Sequence, residues 1–134
     1  MKNIKYKVHI FFILVSLALA IALFGPENFK FTNTGWITYY DMLGDQIAWK
    51  LFYNDDWHFP LGKNPNYGIE IGNSITFTGS VPLLSIIFKL FKNFLPDNFQ
   101  FFSFWVFLCF FFQLLFSYLI IYHFTKNKIY STIS

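Results

Sequence analysis

The sequence predicts an all-α membrane protein: two transmembrane helices joined by an exported loop that carries one or two interfacial helices. Three observations predict it. Two long apolar runs, Val8 to Phe24 and Phe99 to Phe124, carry no carboxylate and no lysine. All seven carboxylates lie between them: Glu27, Asp41, Asp45, Asp55, Asp56, Glu70 and Asp97. Outside the runs the only charged side chains are lysines, Lys2, Lys5 and Lys7 before the first and Lys126 and Lys128 after the second. Basic flanks are retained in the cytoplasm and an acidic loop is exported, so both termini are expected inside a cytoplasmic (inner) membrane.

The composition agrees. Hydrophobic residues make up 55% and charged residues 13%, where an average soluble domain is about a quarter charged. The formal charge of +3 does not indicate nucleic acid, because the loop holds five lysines against its seven acids and the basic excess sits on the membrane flanks. Arginine is absent, which fits an AT-rich coding sequence and carries no functional reading. Cys109 is the only cysteine, so no intramolecular disulfide forms.

Residues 1–7 form the cytoplasmic basic flank and 8–24 the first span. That run covers about 25 Å as a helix, a little short of the hydrocarbon core, and Tyr6, His9 and the lysines reach the interface to complete it. The competing reading is a signal peptide with the small-residue pattern Ala18-Leu19-Ala20. It is disfavoured because the apolar run continues through Ile21, Ala22, Leu23 and Phe24. Ser16 and Ala20, with Ala18 and Ala22, put small residues at four-residue spacing, which suits close helix contact.

Residues 25–98 form the exported loop, opened by the turn pair Gly25-Pro26. A helix is expected over 41–53. Ile47, Ala48, Leu51 and Phe52 make its apolar face, with Gln46 and Lys50 on another. Asp45 either caps this helix or projects from its first turn, and Asp41 shares its face at four-residue spacing. Plain capping and solvation compete with a functional role for both. The stretch from Asn54 to Gly68 is rich in turn formers. Within it Asp55, Asp56 and His58 are candidate ligands for a divalent cation, against the competing reading of a solvated turn. Gly68 to Phe77 alternates loosely and admits a short hairpin. A second interfacial helix is expected over 81–95, capped by Ser80 and begun by Pro82. Ser85, Lys89 and Lys92 fall on one narrow face, turned toward water and headgroups.

Residues 99–124 form the second span. Pro96 stops what precedes it, and Asp97 and Gln100 are spaced as a capping box. Cys109, Gln113 and Ser117 share one face, and Gln113 near mid-span is expected to face protein rather than lipid. Residues 125–134 form a cytoplasmic tail. No phosphate-binding glycine loop, zinc spacing, nucleophile elbow or EF-hand loop occurs, nor an internal repeat.

This order of lysine-flanked span, exported loop with an early aspartate, interfacial helix and second span resembles the amino-terminal unit of GT-C type glycosyltransferases. Leu43-Gly44-Asp45-Gln46, Trp57 to Gly62, and Ile75 to Leu84 leading into Phe99-Gln100-Phe101-Phe102 look more closely like an uncharacterised bacterial family of multi-span proteins with GT-C-like architecture. The likeness runs from about Gly35 to Tyr122. It implies a polyprenyl-phosphate-linked sugar as donor and inverting transfer, with Asp45 in the place of the catalytic acid and Asp41 as the second candidate. Some superfamily members use a metal to stabilise the leaving phosphate, so a divalent cation is the cofactor to consider. The resemblance breaks at Gly79, where the family often carries an acid. Length departs too: the resemblance implies an amino-terminal fragment, inactive alone and completed by further transmembrane helices of a longer parent or of a partner subunit. The alternative is a small two-span protein without catalysis. A third reading is a cleaved, singly anchored protein with an exported sensing domain.

Overall fold

The computed structural model describes residues 2–37, 41–68 and 71–133. Its regular structure is mostly helical: α1 (Lys2–Phe24), α2 (Asp41–Asn54), α3 (Pro82–Leu90), α4 (Phe102–Thr125) and α5 (Lys128–Ile133), with short 3-10 turns between them. The chain divides into two compact units, Met1–Phe29 with Phe102–Ser134, and Lys30–Phe101.

In the first unit α1 packs on α4. Phe12, Ser16 and Ala20 are buried at four-residue intervals, so one stripe of α1 makes the contact. The Phe12 ring meets Tyr118 edge-on at 5.5 Å. The Ser16 hydroxyl is satisfied within its own helix, donating to Phe12 O at 2.6 Å. Ala18 and Ala22 stay exposed, so only half of the small-residue pattern is used. α1 closes on Gly25, whose φ of +84° is open to glycine and whose N–H returns to Ile21 O at 2.8 Å. Pro26 then starts a 3-10 turn to Phe29.

α4 is 24 residues long and contains an 18-residue stretch with a mean hydropathy of 2.3, long and apolar enough to cross a membrane. Val8–Phe24 is a shorter apolar stretch within α1. Two expectations change here. α4 starts at Phe102 rather than at 99, and the Asp97/Gln100 capping box does not form. Gln100 is instead buried in the second unit, with its backbone N–H on Phe31 O at 2.7 Å and its side-chain amide on Lys30 O at 3.1 Å. Gln113 is not covered within this chain, because α1 covers only one stripe of α4.

The second unit is built on aromatic packing. Trp49 is its centre: the ring contacts Tyr53 and Phe101 at 4.9 Å each, and the indole N–H donates to Phe99 O at 2.9 Å. Phe88 stacks on Phe101 at 5.3 Å. The buried face of α2 is therefore Ala48, Trp49, Phe52 and Tyr53. It is turned by one residue from the expected face, and Ile47 is exposed. The cause is polar. Trp49 and Tyr53 each carry a hydrogen-bonding group that needs a buried partner, and both find carbonyls; for the Tyr53 hydroxyl the nearest is Pro96 O at 3.3 Å.

A short antiparallel pairing joins Lys63–Asn64 to Asn73–Ser74, with Lys63 opposite Ser74 and Asn64 opposite Asn73. The hairpin thus begins before the expected stretch from Gly68, and Ile69 and Glu70 lie outside the described residues. The buried Asn64 amide donates to Ala48 O at 2.9 Å and ties the hairpin to α2.

The predicted 81–95 helix is shorter. It ends at Leu90, and a 3-10 turn follows over Lys92–Phe94. Its start is also different. Ser80 does not cap; its hydroxyl pairs with Thr78 Oγ1 at 2.6 Å. The capping position is Val81, left-handed at φ 48°, an unfavourable conformation for a β-branched residue. Pro82 sits at the first helical position as expected.

Candidate functional site

α2 positions both sets of candidate residues. Its first turn begins at Asp41, so Asp45 does not cap it. The Asp41 side chain lies outside the described residues. Asp45 projects toward the segment before α3, and its Oδ1 accepts a hydrogen bond from the Gly79 N–H at 2.8 Å across 34 residues of sequence. The approach is close. A Cβ on residue 79 would stand 2.6 Å from Asp45 Cγ, so glycine is what lets this segment pass the carboxylate.

That contact predicts a measurable coupling. Gly79→Ala is expected to push the Asp45 carboxylate off the Gly79 amide and to cost about 0.5–1.5 kcal/mol, the usual net range for a hydrogen bond, because this one is exposed to solvent. In an Asp45→Ala background the same change should cost much less, because the clash is gone. Thermal unfolding of the four proteins in detergent measures this. Equal costs in both backgrounds would mean that the two residues do not meet.

Asp55, Asp56 and His58 follow α2 directly, about 15 Å along the helix rise from Asp45. His58 Nε2 and Asp55 Oδ2 are 3.1 Å apart. Asp55 Oδ1 accepts from the backbone N–H of Asp56 at 2.9 Å, closing the turn locally. Asp56 has its carboxylate exposed and its carbonyl engaged by Lys89. The structure thus brings together Asp55 and His58. Among the described residues no group of three or more His, Cys, Asp or Glu side chains is placed to hold a metal. The residues present offer a cation two neighbouring ligands, which does not fit a built metal centre.

Sequence reasoning placed Lys89 toward water, and the structure places it inside. The residue is 3% exposed. Its Nζ donates to Asp56 O at 3.0 Å and lies over the rings of Phe52 at 4.0 Å and Trp57 at 4.7 Å. Lys92 Nζ donates to Asn54 O at 3.3 Å. The two ammonium groups therefore close the carboxyl end of α2, where unpaired carbonyls and the helix dipole favour positive charge. Burial pushes the Lys89 ammonium below the usual lysine range; Asp55 opposes this, Lys92 adds to it, and Asp56 opposes it. Burial also raises the Tyr53 hydroxyl, with Asp97 adding to it. A cavity of about 230 Å³ opens beside this corner, lined by Asp55, Asp56, Trp57, Lys89, Leu90, Lys92 and Asn93. A second groove of about 300 Å³ follows the outer face of α2, lined by Ile47, Lys50, Leu51, Asn54, Asp55 and Asn66.

Two features escaped the sequence. Gly79 as the partner of Asp45 leaves no local signal, because the pairing is long-range. The inward turn of Lys89 did leave one: Leu83, Ile87 and Leu90 form a complete apolar stripe of their own on α3.

A helical chain with one helix fit to cross a bilayer and a compact aromatic unit is the class that these observations define. The chain belongs to the DUF6311 family, described as a domain of unknown function, whose model matches residues 13–134. No curated protein and no solved structure matches it.

Proposed function

We propose that this chain is the amino-terminal unit of a GT-C-like glycosyltransferase of the membrane, with a polyprenyl-phosphate-linked sugar as donor and Asp45 as the general base. The observation that carries the reading is the contact between positions 45 and 79. They are the two places that the resemblance singles out for acids, and they are far apart in sequence. Here position 45 holds a carboxylate and position 79 a glycine, so the contact supports Asp45 as the positioned group while the second acid of the resemblance is missing. With Oδ1 engaged by Gly79, Oδ2 has no hydrogen-bond partner within the chain's described contacts and is suited to take the proton of an acceptor hydroxyl as the sugar leaves its phosphate. Membranes carrying the complete enzyme of which this unit would be a part are expected to transfer labelled sugar from a polyprenyl-phosphate donor. Absence of transfer with the common lipid-linked hexoses would remove the reading.

The same proposal sets the topology. α1 and α4 both span, residues 25–98 are exported with α2 and α3 near the membrane surface, and both termini are cytoplasmic. The lysine flanks and the confinement of every acid to the loop support it. In a Cys109→Ser background, Asn66→Cys should react with an impermeant maleimide in intact cells. Reaction only after permeabilisation would invert the topology.

A further inference from the structure

Gly44 stands in α2 directly before Asp45. Its backbone is helical, so no left-handed conformation calls for glycine there. Crowding does not call for it either. Among the described residues outside its own helix, a Cβ at position 44 would come within 4 Å of one atom, Tyr67 Oη at 3.9 Å. That is ordinary contact distance. Glycine inside a helix costs stability relative to alanine, and what it leaves is bare backbone that a ligand can approach closely. Tyr67 is the other half of the arrangement. The residue is half-buried, and its hydroxyl has no hydrogen-bond partner among the described residues. The loop that carries it is fixed to α2. Tyr67 N–H donates to Asn64 O at 3.2 Å, and the Asn64 amide donates to Ala48 O, one helical turn beyond Gly44. By covalent geometry Tyr67 Oη lies no more than about 9 Å from the Asp45 Cα.

We propose that the acceptor of the transfer lies across the bare Gly44 backbone, with one hydroxyl on Tyr67 Oη and another at Asp45, and that this acceptor is a neutral polyhydroxyl compound such as a sugar. The inference rests on Asp45 as the general base and names the substrate class of that same site. In inverting transfer the phosphate leaves from the face of the donor opposite the base, so the group that stands beside Asp45 is the acceptor. Two features select a neutral one. The free phenol is uncharged and can both donate and accept a hydrogen bond, which matches a hydroxyl. Asp45 is in no ion pair among the described residues, so a phosphate or carboxylate on the acceptor would stand beside an uncompensated negative charge. The separation of Tyr67 Oη from Asp45 then selects size. A single hydroxyl touches one group at a time, whereas a sugar ring reaches both. Holding it at two points fixes which of its hydroxyls faces Asp45 Oδ2. Glycine at position 44 is what keeps the floor between the two points clear.

The test uses the complete enzyme, a labelled polyprenyl-phosphate sugar as donor, and two acceptor probes, octyl glucoside and its phosphate monoester. Wild type is expected to take the neutral probe with a KM several-fold below that of the phosphorylated one. Tyr67→Phe keeps the ring and removes the hydroxyl. It should raise KM for octyl glucoside about three- to tenfold, the worth of one hydrogen bond, with kcat within a few-fold and the donor KM unchanged. Gly44→Ala should raise the same KM. In the present chain in detergent it should nevertheless melt no lower than wild type, because alanine favours the helix. An unchanged acceptor KM in either variant, or a fall in kcat alone, overturns the proposal. A lower melting temperature for Gly44→Ala overturns it in favour of a packing role for the glycine. Equal or better use of the phosphorylated probe overturns the neutral class, and so does transfer to neither probe by an enzyme that labels membrane acceptors. If wild type transfers no sugar, or Asp45→Asn transfers normally, the reading of Asp45 has itself failed. That outcome is distinct from failure at Tyr67 and Gly44, and it takes this proposal with it.

Discussion

In the complete enzyme of the proposed function, Asp45→Asn is expected to lower sugar transfer by about two to four orders of magnitude, the usual contribution of a positioned general base. The amide keeps the shape of the carboxylate and an Oδ1 acceptor for the Gly79 N–H, so insertion and folding should be unchanged. What it loses is a carboxylate oxygen able to accept the proton of the acceptor hydroxyl. Asp55→Asn is the comparison. It removes the charge facing His58 at 3.1 Å, at a place about 15 Å along the helix rise from Asp45, and should leave transfer within a few-fold of wild type. Incorporation of labelled sugar from a polyprenyl-linked donor by membranes carrying each variant of the complete enzyme is the measurement. Wild-type transfer by Asp45→Asn would remove the catalytic assignment. Loss in Asp55→Asn alone would move the site to the Asp55–His58 pair.

Trp49→Ala should produce the largest loss of stability of any single substitution in the second unit, about 3–5 kcal/mol. The indole is 1% exposed and joins three parts of the unit at once. It packs on Tyr53 within α2, against Phe101 at the end of the unit, and holds Phe99 O through its N–H. Alanine would leave a cavity the size of the indole and a buried carbonyl without its donor. Phe77→Ala is the reference: that ring is 83% exposed, and its removal should cost less than about 0.5 kcal/mol. Denaturant unfolding in detergent, followed by the remaining tryptophans, compares the two. A Trp49→Ala midpoint no lower than that of Phe77→Ala would show that the aromatic cluster does not hold the unit together.

Much of the helical framework was legible in the sequence. Apolar runs of sufficient length and helix-period patterns are local properties, so α2 and α4 appear within a few residues of where they were expected, while α1 ends as expected at Phe24 but begins at Lys2, inside the stretch expected as the basic flank. Pro82 marked the start of α3 for the same reason. Boundaries failed where a residue was claimed by a distant partner. Phe99 and Phe101 read as the head of an apolar span, yet they pack with Trp49 and Phe88, and the backbone between them pairs with Phe31. Gln100 has the spacing of a capping residue, but Lys30 O captures its amide. A local signal is overridden when a buried polar group finds its partner elsewhere, because leaving that partner unmet costs more than a cap returns.

By itself the sequence determined the confinement of acids to one loop and the existence of the long apolar helices, though not their bounds, since α1 begins at Lys2 and α3 ends at Leu90. Only the tertiary structure decided which way each amphipathic helix turns and what meets Asp45. Periodicity says that two faces differ. It does not say which face is covered, because that depends on which neighbours supply hydrogen-bond partners and ring faces. For α3 those neighbours are Asp56 O, Phe52 and Trp57, and they draw Lys89 inward and leave leucine outside. For Asp45 the neighbour is a glycine amide 34 residues away, a contact that steric room at position 79 permits and that no local pattern encodes.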